Sequence, residues 1–473
     1  MLLSGLSLLI GVLGAVEASV DTIDVRLYRF DGKSGSTFVS SGIPLPPGRL
    51  RPDQTKAIRL IIDGEEHAIR AEALAGLHSD GSLRSVLVQL VHDVPPTRWV
   101  SGELIIGETR TTRDIREPDG FDRGQTTAVT LPTDPDYLVS TLLSGPTVTA
   151  SFSRTMGPAF ASYERGFTQH AETHWQKERD QWGAVNYYDR ALIFYAFWLR
   201  TGNPAWFNRA TQIALNYRTR YLEANNYASS PHWSQLEGLE QHYLLTGDEQ
   251  SRFAVARVAE QFVPLNLGDT ISIKWTETRI QARSLQALYL AWRLRAEGPK
   301  KLNYGAILER KLRHTLSTQR PDGSTGWPVT CYESLNYMHG LLNDQLINIH
   351  TNFRADSAIL TYVRRNVDYL WRTQWVQRQG AFKYLSGRCQ KNSQGEAVGG
   401  PNPTPDLNML FVTGFGWLYQ MTGDVSYRQA GDEIFAAGVR GAYWPGSKQF
   451  NQTFTSSYKY LALRLPPRNS DRP

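Results

Sequence analysis

From about Val20 to Phe160 the chain alternates apolar and polar positions in short runs separated by turn residues. Ala57-Ile58-Arg59-Leu60-Ile61-Ile62 ends in Asp63-Gly64, and Leu83 to Val91 follows Asp80-Gly81. A period of two bounded by such dipeptides predicts strands joined as hairpins. The same pattern marks Asp24 to Phe30, His67 to Ala71, Glu103 to Gly107, Thr126 to Leu131 and Thr147 to Phe152. About seven short strands build a small barrel or sandwich.

Past residue 160 the period lengthens to that of a helix, and a tripeptide recurs: Thr201-Gly202-Asn203, Thr246-Gly247-Asp248 and Thr422-Gly423-Asp424. Glycine ends one helix in a left-handed cap and the Asn or Asp after it caps the start of the next, so each tripeptide is the turn of a helical hairpin. Two more hairpins read as Glu277 to Arg295 with Tyr304 to Leu316, and Tyr332 to His350 with Asp356 to Trp371. A last helix runs from Thr455 to Leu465. Five hairpins and part of a sixth predict an (α/α)5-6 toroid. The expected fold class is therefore multidomain β + α: an N-terminal small β-barrel or sandwich over residues 20–160, the toroid of helical hairpins over 161–465, and a tail at 466–473.

In such a ring the helix before each Thr-Gly-Asp turn, being the more apolar and aromatic, faces inward. All inner helices then run the same way, and their unpaired N–H groups and dipoles converge where an anion is favoured. The helix starts carry Asn186, Tyr187, Tyr188, Asp189 and Arg190; His232, Trp233 and Glu237; Trp275, Glu277 and Arg279; Glu333, Asn336, Tyr337 and His339; and Asp406 with Asn408. Trp and Tyr stack on sugar faces, and Arg pairs with carboxylates in two-point fashion. Each also has a plain reading. Tyr187, Tyr337 and His339 suit a core, Glu237 and Glu277 suit the first turn of any helix, and of Arg279 and Arg283, which share a helix face, one is expected to be structural.

Composition sharpens this picture in a few places. Of the 13 tryptophans only Trp99 precedes residue 160, which sets the change of character there. The net charge of +6 comes from scattered arginines rather than a basic block, which argues against a nucleic-acid partner and fits an acidic polysaccharide or oligosaccharide. Met1 to Ala18 is apolar and ends in Val16-Glu17-Ala18, as a signal peptide does, although no Lys or Arg stands ahead of it. It is too short to span a bilayer, so a secreted or periplasmic protein without a membrane span is expected, as a monomer or an oligomer of unknown size. Cys331 and Cys389 allow one disulfide and no cysteine-based zinc site. Nucleophile elbows, phosphate loops and dinucleotide fingerprints are missing from the sequence. His170 and His174 have the spacing of a metal pair, but a solvated pair is the commoner outcome, so no metal is expected. No cofactor is expected either, and calcium has no loop motif in its support.

Two N-terminal segments stand out together: Gly42-Ile43-Pro44-Leu45-Pro46-Pro47-Gly48 and Leu77-His78-Ser79-Asp80-Gly81-Ser82-Leu83-Arg84. Over residues 25–92 this pattern resembles the RIFT-type β-barrel domain of exo-rhamnogalacturonan lyase-like polysaccharide lyases, with Leu77-His78 where the family pattern has Trp. The resemblance implies β-elimination on a uronic-acid-containing, pectin-like polysaccharide. That chemistry needs a group to neutralise the carboxylate, a base for the C5 proton and an acid for the leaving oxygen. Arg279, Asn186, Asn336 and Asn408 are candidates for the first role, His232 for the second, and Tyr187 and Tyr337 for the third. Competing expectations are a glycoside hydrolase using Glu237 with Glu277 or Asp189 with Asp406, and a polysaccharide-binding protein without catalysis.

Overall fold

The structure is a computed structural model that describes residues 20–178, 186–265, 278–325, 335–386 and 402–467. Its first eight strands are β1 (Asp21–Arg29), β2 (Ser36–Pro44), β3 (Ile58–Ile62), β4 (Glu65–His67), β5 (Arg70–Ala73), β6 (Ser85–Asp93), β7 (Val100–Ile106) and β8 (Ala128–Pro132). They form two antiparallel sheets, β4-β3-β7-β1-β8 and β2-β6-β5. Alternation explains the pairing. Ile23, Val25 and Leu27 of β1, Ile58, Leu60 and Ile62 of β3, and Val86, Val88 and Leu90 of β6 all point into one shared core. The Ser41 hydroxyl ties β2 to β8, donating to the Thr130 carbonyl at 2.7 Å and accepting from its N–H at 2.9 Å.

The helices begin at Pro135. They are α1 (Pro135–Ser140), α2 (Ala150–Thr155), α3 (Pro158–Glu178), α4 (Arg190–Thr201), α5 (Pro204–Asn216), α6 (Leu236–Thr246), α7 (Glu249–Phe262), α8 (Thr278–Arg293), α9 (Tyr304–Ser317), α10 (Asn336–Asn352), α11 (Ser357–Tyr369), α12 (Val412–Thr422), α13 (Val425–Gly441), α14 (Ser447–Phe454) and α15 (Ser457–Leu463). A short hairpin of β9 (Trp375–Val376) and β10 (Ala381–Phe382) interrupts them. The strand expected at Thr147 to Phe152 is instead the start of α2, because the Thr149 side chain accepts the Phe152 N–H and caps a helix. Conversely β2 holds a strand where the sequence offered only a proline-rich motif.

The tripeptide turns have the expected geometry. Gly202, Gly247 and Gly423 take φ of 66°, 74° and 71°, and the side chains of Asn203, Asp248 and Asp424 accept N–H groups of the helix that follows. The five hairpins α4–α5, α6–α7, α8–α9, α10–α11 and α12–α13 follow in order. Their first helices pack successively, α4 on α6, α6 on α8, α8 on α10 and α10 on α12; α15 joins α12, and α14 returns to α3 and α4.

The strands and helices share an interface. Leu87 of β6 and Val129 and Leu131 of β8 point away from the sheet core into the helical one, which leaves β8 and residues 85–90 of β6 buried on both faces. Ser85 donates its hydroxyl to the Leu244 carbonyl of α6 at 2.5 Å, and a methyl group at Gly42 would collide with that carbonyl. Arg84, the last residue of the Asp-Gly-Ser-Leu-Arg turn, is buried and donates to Glu240 of α6 at 2.8 Å and to the Leu143 carbonyl at 2.9 Å. Arg293 of α8 completes the group by donating to both Glu240 oxygens at 2.6 and 2.5 Å. Burial raises the Glu240 carboxyl while the two guanidiniums lower it, and the balance leaves it below the usual carboxylate range.

Candidate active site

The first turns of α8 and α10 meet. Arg279 of α8 and Tyr337 of α10 lie close enough to influence each other's ionisation, whereas Arg293 and Asn352, in the last turns of the same helices, line one cavity together. The two helices therefore run in one direction, and their starts frame a candidate basin.

Arg279 is its centre. The side chain is 3% exposed, and its Nε and Nη1 have no hydrogen-bond partner among the described residues. Its guanidinium carbon stands 4.7 Å from the centroid of the Tyr187 ring, whose cloud is also met by Lys448 Nζ at 4.6 Å. Burial lowers the guanidinium to about 10, Tyr337 and Tyr384 oppose the shift and Arg283 adds to it. It remains a cation at neutral pH. A buried cation with two unspent N–H donors is costly unless an anion completes it.

Aromatic hydroxyls surround the guanidinium. Tyr337 stacks on Tyr384 with ring centroids 5.7 Å apart, and burial first, then Tyr188 and Tyr384, pushes its phenol well above the ordinary tyrosine range. Tyr188 is buried against Tyr187, hydrogen-bonds Gln452 at 3.4 Å and is raised by the same burial. Gln452 in turn donates to the backbone and side chain of Asp406 at 2.8 and 3.3 Å. Arg283, one turn deeper on α8, donates to Gln286 at 2.9 Å, and Gln286 donates to Glu237 at 2.8 Å.

Among the residues expected at the site, Arg279, Tyr187, Tyr188 and Tyr337 are brought together. His232 and Trp233 lie on a 3-10 turn, Pro231–Trp233, that packs against α8; His232 Nδ1 is 3.3 Å from the Ser230 hydroxyl. Trp275, Glu277 and Glu333, like Cys331 and Cys389, lie outside the described residues. Others lie inside the fold. Asn186, Arg190, Asn336, His339 and Asn408 are at most 3% exposed and make hydrogen bonds within the fold. Arg190 donates to the Glu178 carbonyl and to Asn186 Oδ1, Asn336 donates to Gln374 and the Lys383 carbonyl, and Asn408 donates to the Gly380 carbonyl. His339 Nδ1 meets Thr325 and Asn366, and burial holds its ring down at about 4. Asp189 is likewise taken, capping α4 through Leu192 N–H at 3.0 Å and accepting from Gly238 N–H at 2.8 Å. His174 is no solvated partner of His170 but is buried, bonded to the Trp444 carbonyl at 2.8 Å.

Tyr384, Lys448 and Gln452 were not expected here. Tyr384 follows β10 and the other two sit on α14, so none begins a hairpin's first helix.

No protein-family model and no curated protein matches the chain, so the resemblance to exo-rhamnogalacturonan lyases has no counterpart there. Among solved structures it is similar to the unsaturated glucuronyl hydrolase of Bacillus sp. GL1, described as responsible for the degradation of glycosaminoglycan. The identity is 10% and the TM-score 0.43, over 63% of this chain and 93% of that one. It is also similar to cellobiose 2-epimerase from Bacillus thermoamylovorans, at 10% identity and a TM-score of 0.39, over 54% and 74%. Superpositions this loose leave the chemistry to be read from the basin's own residues.

Proposed function

We propose that the chain is a carbohydrate-active enzyme whose hairpins close into an (α/α) toroid, and that it cleaves a uronic-acid-containing polysaccharide by β-elimination. The observation that carries this reading is the guanidinium of Arg279, whose Nε and Nη1 have no partner among the described residues, beside Tyr187, Tyr337 and Tyr384. In this reading Arg279 neutralises the uronate carboxylate and so acidifies the C5 proton. His232 takes that proton, the C4–O4 bond breaks as the C4–C5 double bond forms, and the departing oxygen receives the phenolic proton of Tyr337. Burial keeps that phenol protonated.

Incubation with pectic and glucuronate-bearing polymers is expected to produce the ultraviolet absorbance of an unsaturated uronate. New ends that are one water lighter by mass are expected with it. Full digestion without either sinks the elimination reading.

One observation favours a hydrolase instead. Glu237 is pushed up to about 7, mainly by burial, with Asp344 and Asp189 adding to the rise and Lys459 and Arg283 opposing it, so it is poised as a proton donor. New reducing ends without absorbance would select it. We also propose export, resting on the apolar residues 1–18; a mature protein in the host whose N-terminus lies just past Ala18 is the check.

A further inference from the structure

A hollow runs from the first turns of α4, α6 and α12 to the last turns of α8, α10 and α12. It has a volume of about 910 Å³ and is walled by the last turns of α8, α10 and α12, by α15, and by the segment 142–149 that follows α1. That size is ordinary for a small-molecule site. Its mouth carries two apolar side chains with no core to join, Leu142 at 43% and Phe152 at 47% exposure. Leu142 also holds a φ of 53°, a strained value for a leucine in a segment that covers a cavity.

The charges inside differ from those of the basin. Lys459 donates to both oxygens of Asp344 at 3.0 and 3.1 Å, and Arg293 is paired with Glu240. Both cations are thus committed to carboxylates, and Glu237, which faces the same space, adds a further acid. No cation is left over among the described lining groups, so an anion finds no partner there. Asn348, Thr351 and Gln241 interleave with Tyr289, Trp417 and Phe152 along the wall. Hydroxyl and amide groups set between aromatic rings suit a ligand with hydroxyl edges and apolar faces, and suit an acyl chain poorly.

We propose that this cavity is a second saccharide site, separate from the Arg279 basin, which binds a short uncharged oligosaccharide. Sugar faces lie against Phe152 and Trp417, and hydroxyls bond to Glu237 and Asn348. A carboxyl raised to about 7 keeps its proton in part at neutral pH, and in that form it both donates and accepts, as a sugar hydroxyl requires.

Saturation-transfer NMR on the full chain tests this with trisaccharides of glucose, galactose, rhamnose and xylose, set beside trigalacturonate and a fatty acid. At least one neutral trisaccharide is expected to receive saturation. Thr351 is exposed at the rim, so Thr351→Trp plugs the mouth without disturbing the core; it should weaken that signal at least tenfold and leave trigalacturonate unchanged. Phe152→Ala, also exposed, should weaken it severalfold with an unaltered melting curve. The proposal is overturned if no neutral trisaccharide binds, if both variants bind as the parent does, or if only the fatty acid is displaced by the plug. It is equally overturned if the plug abolishes trigalacturonate binding too, since basin and cavity would then be one site.

Discussion

Arg279 of α8 in the basin and Lys459 of α15 in the cavity are both buried cations, and they differ in what completes them. Lys459 is bonded to Asp344 within the chain, while Arg279 lies over the Tyr187 ring and its Nε and Nη1 find no partner among the described residues. The same cost of burying a charge is offset internally in one place and left standing in the other. A charge left standing marks where a ligand belongs; a pair already made marks structure.

The largest effect expected from this contrast is on folding. Lys459→Met strands the Asp344 carboxylate and should destabilise the protein by about 3–5 kcal/mol, read by denaturant unfolding. Arg279→Met should do the opposite. It removes an uncompensated cation, so its melting midpoint should rise, while kcat/KM on the acidic polymer falls by about 10²- to 10³-fold. A variant that loses stability together with activity would reduce Arg279 to a structural group.

Next comes pH. The Glu237 carboxyl is raised from its ordinary value to about 7 in the folded chain, so the folded state prefers it protonated. Its contribution is fully present below the unfolded value near 4.5 and is lost as pH rises through 7. Because Glu237 partly faces the cavity, water there softens the penalty, and Glu237→Gln should exceed the parent by about 2 kcal/mol at pH 8 and match it at pH 4. Parallel stability curves across that range would show an ordinary carboxyl. The smallest effect is expected at Tyr384, where Tyr384→Phe removes one hydroxyl from the Tyr337 pair and should lower kcat about tenfold with little change in KM.

How much of this could be read from the sequence depends on the range of the signal. The helical hairpins were legible because their turns are local: a glycine cap and an Asn or Asp side chain act within a few residues. That Arg279, Tyr187 and Tyr337 lie together could be expected because they sit at or near helix starts, where the dipole argument directs attention. The amides of Asn336 and Asn408 satisfied the same rule, and each is also bonded to a backbone carbonyl that a helix start carries no record of. Tyr384 and Lys448 were invisible for the converse reason, being delivered by a hairpin and a late helix whose placement is purely tertiary. Thr147 to Phe152 alternates like a strand, but one threonine cap outweighs that pattern.

The seat of the Leu244 carbonyl on Ser85 and beside Gly42, with the Arg84–Glu240–Arg293 group next to it, bears on how such a chain is divided. A fragment beginning at the first helix would carry Glu240 with one arginine in place of two and an open patch where β6 and β8 had lain. The strands are thus a cover made to measure for this one helical layer, and swapping them for another barrel would demand a glycine, a serine and an arginine in the same three places.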